Sequence, residues 1–300
     1  MLLEHIVSPA EDGQTLRQLL RGAMALSGRQ AREAFSKGAV SVDAAPFFSN
    51  QPVRTGMVVR VALGGYGDTP APKDVPPVEV VFEDDALIAV FKPAPLQCHP
   101  SPSAPGGSDT LQARVTAYLG APAHPVHRLD SETTGIVLFA RLPFVQAHLQ
   151  QQMQRGDFAK GYQAWVLGTP SPEAGTVDAP IARQSPDSFT RVVSPDGQRA
   201  VSRYRTLRTI SMPGGQASSL LALSPVTGRT HQLRVHMAHI GCPLLGDARY
   251  GTAASQAVSA QLGLTHHQLS AVSLRFVHPI TGKQLELTHA PVFELDPEGA

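Results

Sequence analysis

One segment near the middle of the chain changes abruptly from polar to apolar character. Ile136 to Ala140 are all apolar, which predicts a strand buried on both faces. The eight residues from His127 to Thr134 are, apart from Leu129, polar or charged. Polar groups joined directly to a core strand are held on a rigid scaffold, as functional side chains usually are. The alternative is an ordinary polar turn in which Asp130 accepts hydrogen bonds from backbone N–H groups.

The N-terminal part of the chain predicts a small helical unit with short strands. Apolar residues at helical spacing predict a first helix over Thr15 to Leu26. Ser27 is a favourable N-cap for a second helix from Gly28 to about Lys37, which Gly38 would end. Strands are predicted further on, at Val40–Val42 and Val58–Leu63.

A segment rich in glycine and proline, Gly64 to Pro77, separates this unit from the rest of the chain. Such a composition disfavours regular structure and predicts a linker. We therefore divide the chain into an N-terminal domain (1–63), a linker (64–77), a second domain (78–292) and a tail (293–300).

Apolar runs along the second domain predict both strands and helices. The predicted strands are Val78–Phe82, Leu87–Phe91, Ile136–Ala140, Phe158–Gly168 and Arg199–Arg208. The predicted helices are Thr110–Leu119 and Phe144–Met153, and Pro170–Pro180 is predicted to be a loop. The first two strands are joined by a short turn, so we expect them to pair antiparallel. Along Phe158–Gly168, the alternation predicts that Tyr162 is half-buried.

Composition restricts the class of protein and the cell compartment in which we expect it. The chain of 300 residues is 42% hydrophobic, enough for a real core, and no apolar run approaches the roughly 18 residues of a membrane span. The first residues do not have the pattern of a signal peptide. The two cysteines, Cys98 and Cys242, lie far apart, which fits a reducing cytoplasm without disulfides or structural zinc.

Positive charge is concentrated in two places although the net charge is only +1. Between Arg17 and Arg60 there are seven basic residues and two acidic ones, and Arg199 to Arg208 contains four arginines and no acid. Both segments suit contact with nucleic-acid phosphates. The alternatives are a solvated helical surface for the first segment and an edge strand kept soluble by arginine for the second.

A second polar cluster lies between Leu223 and Asp247. Thr230 is expected to cap a helix that runs to about Ile240, with His231 and Arg234 on one face. Three histidines in this stretch would suit a metal ion, but the spacing places His231 off the face of the other two, and no acidic or cysteine ligand accompanies them. We therefore expect no metal site.

Asp130 and Arg234 stand out within the two polar clusters. An ion pair between them would keep the carboxylate ionised and oriented. Such a carboxylate is suited to nucleophilic attack on an electron-poor carbon. Glu132 would point to the opposite side of an extended segment and would not supply the second acid that glycoside hydrolysis needs. The pattern favours a reaction in which the leaving group is retained and reattached.

The segment His-Arg-Leu-Asp-x-x-Thr-Thr-Gly at 127–135, with the apolar strand after it, resembles the signature of the RluA-type pseudouridine synthases. Further matches follow in the family's order across residues 78–292. They are Phe91–Ala94 with His99-Pro100, Lys160–Ala164, Gly228–His236, Gly241–Gly246 and His278-Pro279. This resemblance implies an α+β fold, with a catalytic domain built on a mixed, largely antiparallel sheet flanked by helices.

The N-terminal part resembles the alpha-L RNA-binding module, a helix–helix–strand domain attached to several RNA-modifying enzymes. The matching residues are Ser27–Phe35, Lys37–Asp43 and Val53–Val59. This resemblance implies that residues 14–63 bind RNA.

The family resemblance implies an RNA pseudouridine synthase, an isomerase that needs no cofactor. Asp130 would be the nucleophile that cleaves the bond between the ribose and the uracil nitrogen. Tyr162 would pack on the target base and assist proton transfer, and Arg234 would pair with Asp130.

The same resemblance implies residues that bind the substrate. Arg128 would fill the gap left when the target nucleotide is flipped out of its stack. Lys92, His99 and His127 would shape the pocket. Leu233 is also assigned to the substrate site, although its apolar side chain suits packing.

The implied partner is a structured RNA, either large-subunit ribosomal RNA or transfer RNA. We further expect a monomer in the cytoplasm that does not bind membranes. One alternative is a protein that binds or folds RNA on the same scaffold without turnover, but the presence of Asp130, Tyr162 and Arg234 argues against it. A weaker alternative is a hydrolase that acts on a nucleoside or a sugar.

Overall fold

The computed structural model describes residues 2–62, 75–99, 109–212 and 215–295. The helices are α1 (Leu16–Arg21), α2 (Gly28–Ser36), α3 (Leu111–Leu119), α4 (Pro143–Arg155), α5 (Gln232–His239) and α6 (Ala253–Gln261). Most of the predicted linker, residues 64–74, and the last five residues of the predicted tail, 296–300, lie outside the described residues. The proposed domain limits stay predictions.

The strands belong to three sheets. Near the N-terminus are β1 (Leu2–Ile6), β2 (Val40–Val42), β3 (Ala45–Pro46) and β4 (Val58–Ala62). The large sheet contains β5 (Glu79–Glu83), β6 (Leu87–Lys92), β7 (His124–Pro125), β8 (Thr134–Ala140), β9 (Ala159–Leu167), β10 (Ala174–Asp178), β13 (Val201–Ser211), β14 (Ala217–Pro225), β15 (Leu269–Val277) and β16 (Gln284–Thr288). A two-stranded ribbon consists of β11 (Ile181–Arg183) and β12 (Arg191–Val193).

The N-terminal elements form a sheet in the order β1-β4-β2-β3, with α1 and α2 packed on it through a shared apolar core. The second helix agrees with its prediction, and Ser27 caps it together with Gln30. The first helix is shorter than predicted, because it ends at Gly22, and Ala25 beyond it adopts a left-handed backbone conformation. Strand β1 pairs with β4 and was not predicted.

The large sheet has the order β10-β13-β14-β9-β15-β8-β6-β5, with β16 beside β15 and β7 beside β8. Among the described strands, its neighbours are antiparallel except β8 and β15. The predicted antiparallel pairing of β5 and β6 is confirmed. The chain therefore has the expected α+β fold, with helices packed against a mixed, largely antiparallel sheet.

Strand β8 carries the polar cluster at its start. All seven of its residues are buried, as the continuous apolar run predicted. At Gly135 (φ 116°) a Cβ atom would stand 2.2 Å from the carbonyl oxygen of Ala271 on β15, so glycine is required for this close approach. The residues before β8 are thereby held at the edge of the core.

One prediction in the outer part of the sheet is wrong, and one alternative is excluded for part of a strand. The predicted loop Pro170–Pro180 contains β10, whose outer position tolerates the flanking prolines because they lie beyond its ends. β10 pairs with β13 only over Val201–Arg205, so that part of the arginine-rich strand is internal, and the edge-strand alternative is excluded there. Its side chains Arg203, Arg205 and Arg208 are nevertheless exposed.

Candidate active site

The loop before β8, strand β9 and the start of α5 surround a cleft of about 300 Å³. Asp130, Tyr162 and Arg234 all line it, although they come from three distant parts of the sequence. Arg128, His127 and Leu233 line the same cleft. The structure therefore brings together six of the eight residues predicted for the site.

The buried ammonium group of Lys92 supports the loop that carries Asp130. The ammonium group of Lys92 is fully buried and donates to the carbonyl oxygens of Pro93, Leu96 and Ser131 at 2.7 to 2.9 Å. The Thr133 N–H donates to the Asp130 carbonyl and closes the turn. Burial lowers the pKa of Lys92 to about 8. Lys92 thus supports the loop and does not line the cleft.

Arg234 joins two carboxylates. Its Nε and Nη2 donate to the carboxylate oxygens of Asp247 at 2.7 and 2.8 Å, and its Nη1 lies 3.4 Å from Oδ2 of Asp130. Burial opposes ionisation of Asp247, but the hydrogen bonds and charge of Arg234 outweigh it and hold the pKa of Asp247 below its ordinary value. The predicted contact between Asp130 and Arg234 is present.

Asp247 was not recognised from the sequence. It follows Gly246, whose backbone (φ 75°) passes so close to His266 that a Cβ would stand 2.0 Å from the His266 carbonyl oxygen. Asp247 also accepts hydrogen bonds from the N–H groups of Arg249 and Tyr250. The only indication in the sequence was that Asp247 directly follows Gly241–Gly246, one of the segments that resemble the family.

Tyr162 lies on β9 with only 7% of its surface exposed, so it is more buried than predicted. Burial raises the pKa of its phenol, and the charge of Asp130 adds to this shift. The hydroxyl therefore keeps its proton at neutral pH. The ring and the Asp130 carboxylate line the same cleft, where a flat base has room.

His127 is a buried neutral histidine. Its Nε2 accepts the N–H of Leu138, and its ring packs edge-on against Phe158. Burial lowers its pKa to about 3. These contacts attach the polar cluster to β8. Because its pKa is so low, the His127 ring stays unprotonated near neutral pH.

Arg128 and His99 line a neighbouring cleft of about 510 Å³, which Asp130 also lines. Arg128 is exposed and lines both clefts. Leu233 is 6% exposed and belongs to the apolar core, so it both packs and lines the site.

Glu132 is hydrogen-bonded to a buried histidine. It bonds with the buried ring of His267 at 3.1 Å, and the other nitrogen of that ring bonds with the Thr133 hydroxyl at 2.8 Å. The hydrogen bond from His267 lowers the pKa of Glu132 against the opposing effect of burial. Glu132 therefore fixes the far end of the Asp130 loop.

The start of α5 differs from its prediction. Thr230 does not cap the helix; His231 occupies the cap position with a left-handed backbone (φ 57°, ψ 18°). His231 is thus turned out of the helical face that was predicted to include it with Arg234. Its Nδ1 bonds with the Tyr250 hydroxyl at 2.7 Å, and its Nε2 lies 3.9 Å from Oδ2 of Asp130.

Two further findings concern the whole described part of the chain. Nowhere in it do three or more histidine, cysteine, aspartate or glutamate side chains form a group that would hold a metal ion. Its helices are all too short or too polar to cross a membrane.

Comparison with known proteins decides the family. Residues 86–239, which include Asp130, Tyr162 and Arg234, match the sequence model of a family described as RNA pseudouridylate synthase. The chain is 37% identical to an uncharacterised RNA pseudouridine synthase of Chloroflexus aurantiacus, over 94% of this chain and 88% of that protein. The chain belongs to the RluA-type RNA pseudouridine synthase family. It is an isomerase that acts on RNA.

A second relative and one solved structure are also similar to this pseudouridine synthase. It is 37% identical to ribosomal large subunit pseudouridine synthase D of Vibrio parahaemolyticus, over 72% of this chain and 67% of that protein. The solved structure of human RNA pseudouridylate synthase domain containing 4 is 26% identical, with a TM-score of 0.56, over 71% of this chain and 88% of that one.

Proposed function

We propose that this synthase converts a uridine of large-subunit ribosomal RNA to pseudouridine, with Asp130 as the nucleophile. The observation that carries the proposal is the Asp130 carboxylate beside the Arg234 guanidinium in a cleft that Tyr162 also lines. The choice of RNA rests on the relatives named for the large ribosomal subunit. Such a substrate also supports a cytoplasmic location.

In the first half of the reaction, a carboxylate oxygen of Asp130 attacks carbon 1′ of the ribose. The electrons of the bond between carbon 1′ and nitrogen 1 leave with the uracil, which becomes an anion held in the cleft. The cationic Arg234, with Nη1 3.4 Å from Oδ2, orients the Asp130 carboxylate for the attack.

In the second half, the uracil turns and its carbon 5 attacks carbon 1′, which releases the Asp130 carboxylate. Carbon 5 then loses its proton, and nitrogen 1 gains one, so the product has the atoms of the substrate. Because the net change is an isomerisation, the reaction consumes no co-substrate and needs no net electron transfer.

Tyr162 would stack on the uracil during this turn. Its ring is fixed in β9, and its protonated hydroxyl is available to relay the proton that carbon 5 loses. A base inside a stack is out of reach of a carboxylate held in a cleft, so the target nucleotide must be flipped out. The exposed Arg128 beside Asp130 would fill the vacated space.

The RNA around the target would be held by exposed arginines. Arg17, Arg21 and Arg32 lie on α1 and α2, within the segment that resembles the alpha-L module, and Arg203 and Arg205 lie on β13. Arginine on such surfaces contacts phosphates without reading sequence. We propose that both surfaces bind the RNA and that a single copy of the chain is sufficient.

The test uses transcripts that carry tritium at carbon 5 of uridine, because carbon 5 gives up its hydrogen when it bonds to the ribose. Unmodified large-subunit ribosomal RNA and a pool of unmodified transfer RNAs, both from the source organism, are incubated separately with the protein. We expect tritium release from ribosomal RNA with the native protein and none with Asp130→Asn, which should still bind that RNA.

The outcomes separate the parts of the proposal. Release from transfer RNA alone would overturn the choice of RNA but keep the chemistry. Turnover by Asp130→Asn would remove Asp130 as the nucleophile. Release of free uracil would instead indicate a hydrolase. Binding of RNA without any tritium release would favour a protein that binds RNA without turnover.

A further inference from the structure

His231 has a backbone conformation that costs energy. It is a non-glycine residue at φ 57° and ψ 18°, directly before α5. The left-handed region is unfavourable for most side chains and is retained where the surroundings require it. The result is that the His231 ring lies between Tyr250 and Asp130, with 15% of its side chain exposed.

The hydrogen bonds of Tyr250 favour one of the two ring nitrogens of His231 as the carrier of the proton. The Tyr250 oxygen accepts the N–H of Arg191 at 3.0 Å and contacts Nδ1 of His231 at 2.7 Å. Among the described residues, Nδ1 of His231 is the acceptor within reach of the Tyr250 hydroxyl, and this geometry favours donation from the hydroxyl to Nδ1. Burial raises the pKa of Tyr250, which keeps this proton in place.

His231 itself is neutral at physiological pH. Burial lowers its pKa to about 4, Arg234, Arg249 and Arg191 add to this shift, and the charge of Asp130 opposes it. A neutral imidazole has one N–H. Since Nδ1 is the acceptor for Tyr250, that N–H is on Nε2, the nitrogen nearest to Asp130.

The Nε2–H group and Arg234 approach the same oxygen of Asp130. Nη1 of Arg234 is 3.4 Å from Oδ2, and Nε2 of His231 is 3.9 Å from it. From the described residues, Oδ1 accepts no hydrogen bond. The 3.9 Å separation is longer than a hydrogen bond, but contacts of this kind commonly shorten once substrate closes a site.

We propose that His231 is a positioning residue, whose Nε2–H holds Oδ2 of Asp130 together with Arg234 and thereby presents Oδ1 to the ribose. The inference rests on the proposed nucleophilic role of Asp130. No proton moves from His231 in this role. When the carboxylate is released in the second half of the reaction, the same donor stabilises its returning charge.

A matched pair of substitutions tests the donor. His231→Asn suits the left-handed backbone but is too short to supply a donor at the Nε2 position, whereas His231→Gln places an amide N–H close to it. On tritiated ribosomal RNA, with enzyme in excess, we expect the Asn variant to react about 100-fold more slowly, at the low end of the cost of losing one such donor. The Gln variant should recover to within about threefold of the native rate, with RNA affinity unchanged in both. Its melting temperature should be lower than that of the Asn variant, because glutamine does not suit the left-handed backbone, so recovery of the rate would not follow stability.

A second measurement observes the tautomer without any reaction. In the nitrogen-15 spectrum of the full-length protein, with His231 assigned by comparison with His231→Asn, we expect Nδ1 without a proton and Nε2 with one. The opposite tautomer would overturn the inference. So would equal slowing by Asn and Gln, or a native rate in the Asn variant. A native protein that modifies neither RNA would instead remove the proposed function, and the inference with it.

Discussion

Arg234 donates from Nε and Nη2 to both carboxylate oxygens of Asp247, at 2.7 and 2.8 Å. The Asp247 side chain has no exposed surface, and that of Arg234 is 7% exposed. Because the guanidinium is planar and rigid, this paired contact fixes the direction of the remaining nitrogen, Nη1. Nη1 is the group that approaches Asp130. Asp247 therefore determines the position of the charge beside the proposed nucleophile.

Asp247→Asn should weaken both the fold and the reaction. An amide in place of the buried carboxylate leaves the Arg234 charge without its partner, which typically costs about 3 kcal/mol or more in the free energy of unfolding. We expect this loss in urea unfolding, and at least a tenfold lower rate of tritium release as Nη1 loses its fixed direction. The exposed Asp187, changed to Asn, is the matched control. Stability equal to that of the control would contradict the role of Asp247.

Arg234→Lys tests the geometry separately from the charge. Lysine keeps the positive charge but has no planar fork, so it is unable to bond both oxygens of Asp247 and still reach Asp130. We expect folding to be retained at reduced stability and the single-turnover rate to fall by about 100-fold. A Lys variant that reacts at the native rate would show that charge alone is sufficient.

Lys92→Met tests the support beneath the Asp130 loop. Methionine fills much of the same space but leaves the carbonyl groups of Pro93, Leu96 and Ser131 without the ammonium donor. We expect the free energy of unfolding to drop by about 2 kcal/mol, which is the order of cost for unsatisfied buried acceptors. The rate should fall as well, because Ser131 adjoins Asp130. Lys37→Met, at an exposed lysine, is the control, and equal effects of the two changes would contradict the assignment.

The sequence predicted the parts of the fold that follow from continuous or periodic patterns. Strand β8 was predicted because burial on both faces demands an unbroken apolar run, and α2 because Ser27 and Gly38 mark its ends. Strand β10 was missed because prolines flank it and its residues are mostly exposed, so they show no apolar pattern.

The site was predicted only where residues stand in dense motifs. Asp247 was missed because it is a single acid in a loop, and its importance arises from a partner on α5. The turn at His231 was missed because a left-handed backbone at a non-glycine residue leaves no signal in composition or periodicity. Both features depend on tertiary contacts that a linear pattern does not contain.

Tyr162→Phe and Tyr162→Leu separate the ring from the hydroxyl. Phenylalanine keeps the surface for stacking and loses only the proton relay, so we expect the rate to fall by about 100-fold, the low end of the contribution of one proton-transfer group. Leucine removes the aromatic face as well and should react more slowly still, while RNA affinity changes little in both variants. Measurement uses single-turnover tritium release together with a filter-binding assay. A Leu variant as active as the Phe variant would argue against stacking on the base.

The buried His127 should make the free energy of unfolding depend on pH. Its pKa is about 3 in the folded protein, because the ring is buried, and about 6.5 in the unfolded chain. As the pH falls below 6.5, the His127 side chain binds a proton in the unfolded state but not in the folded state. The free energy of unfolding therefore decreases progressively between pH 6.5 and pH 3. At pH 5 this loss amounts to about 2 kcal/mol.

His127→Gln removes that titration and keeps an acceptor for the Leu138 N–H. Urea unfolding at pH 7 and pH 5 should therefore show a drop in stability that is about 2 kcal/mol smaller in the variant than in the native protein. What is compared is the change in the free energy of unfolding between pH 7 and pH 5. Any packing that the substitution itself removes is lost at both pH values and therefore cancels. An identical drop in both proteins would mean that His127 accepts a proton in the folded state, contrary to its buried, neutral environment.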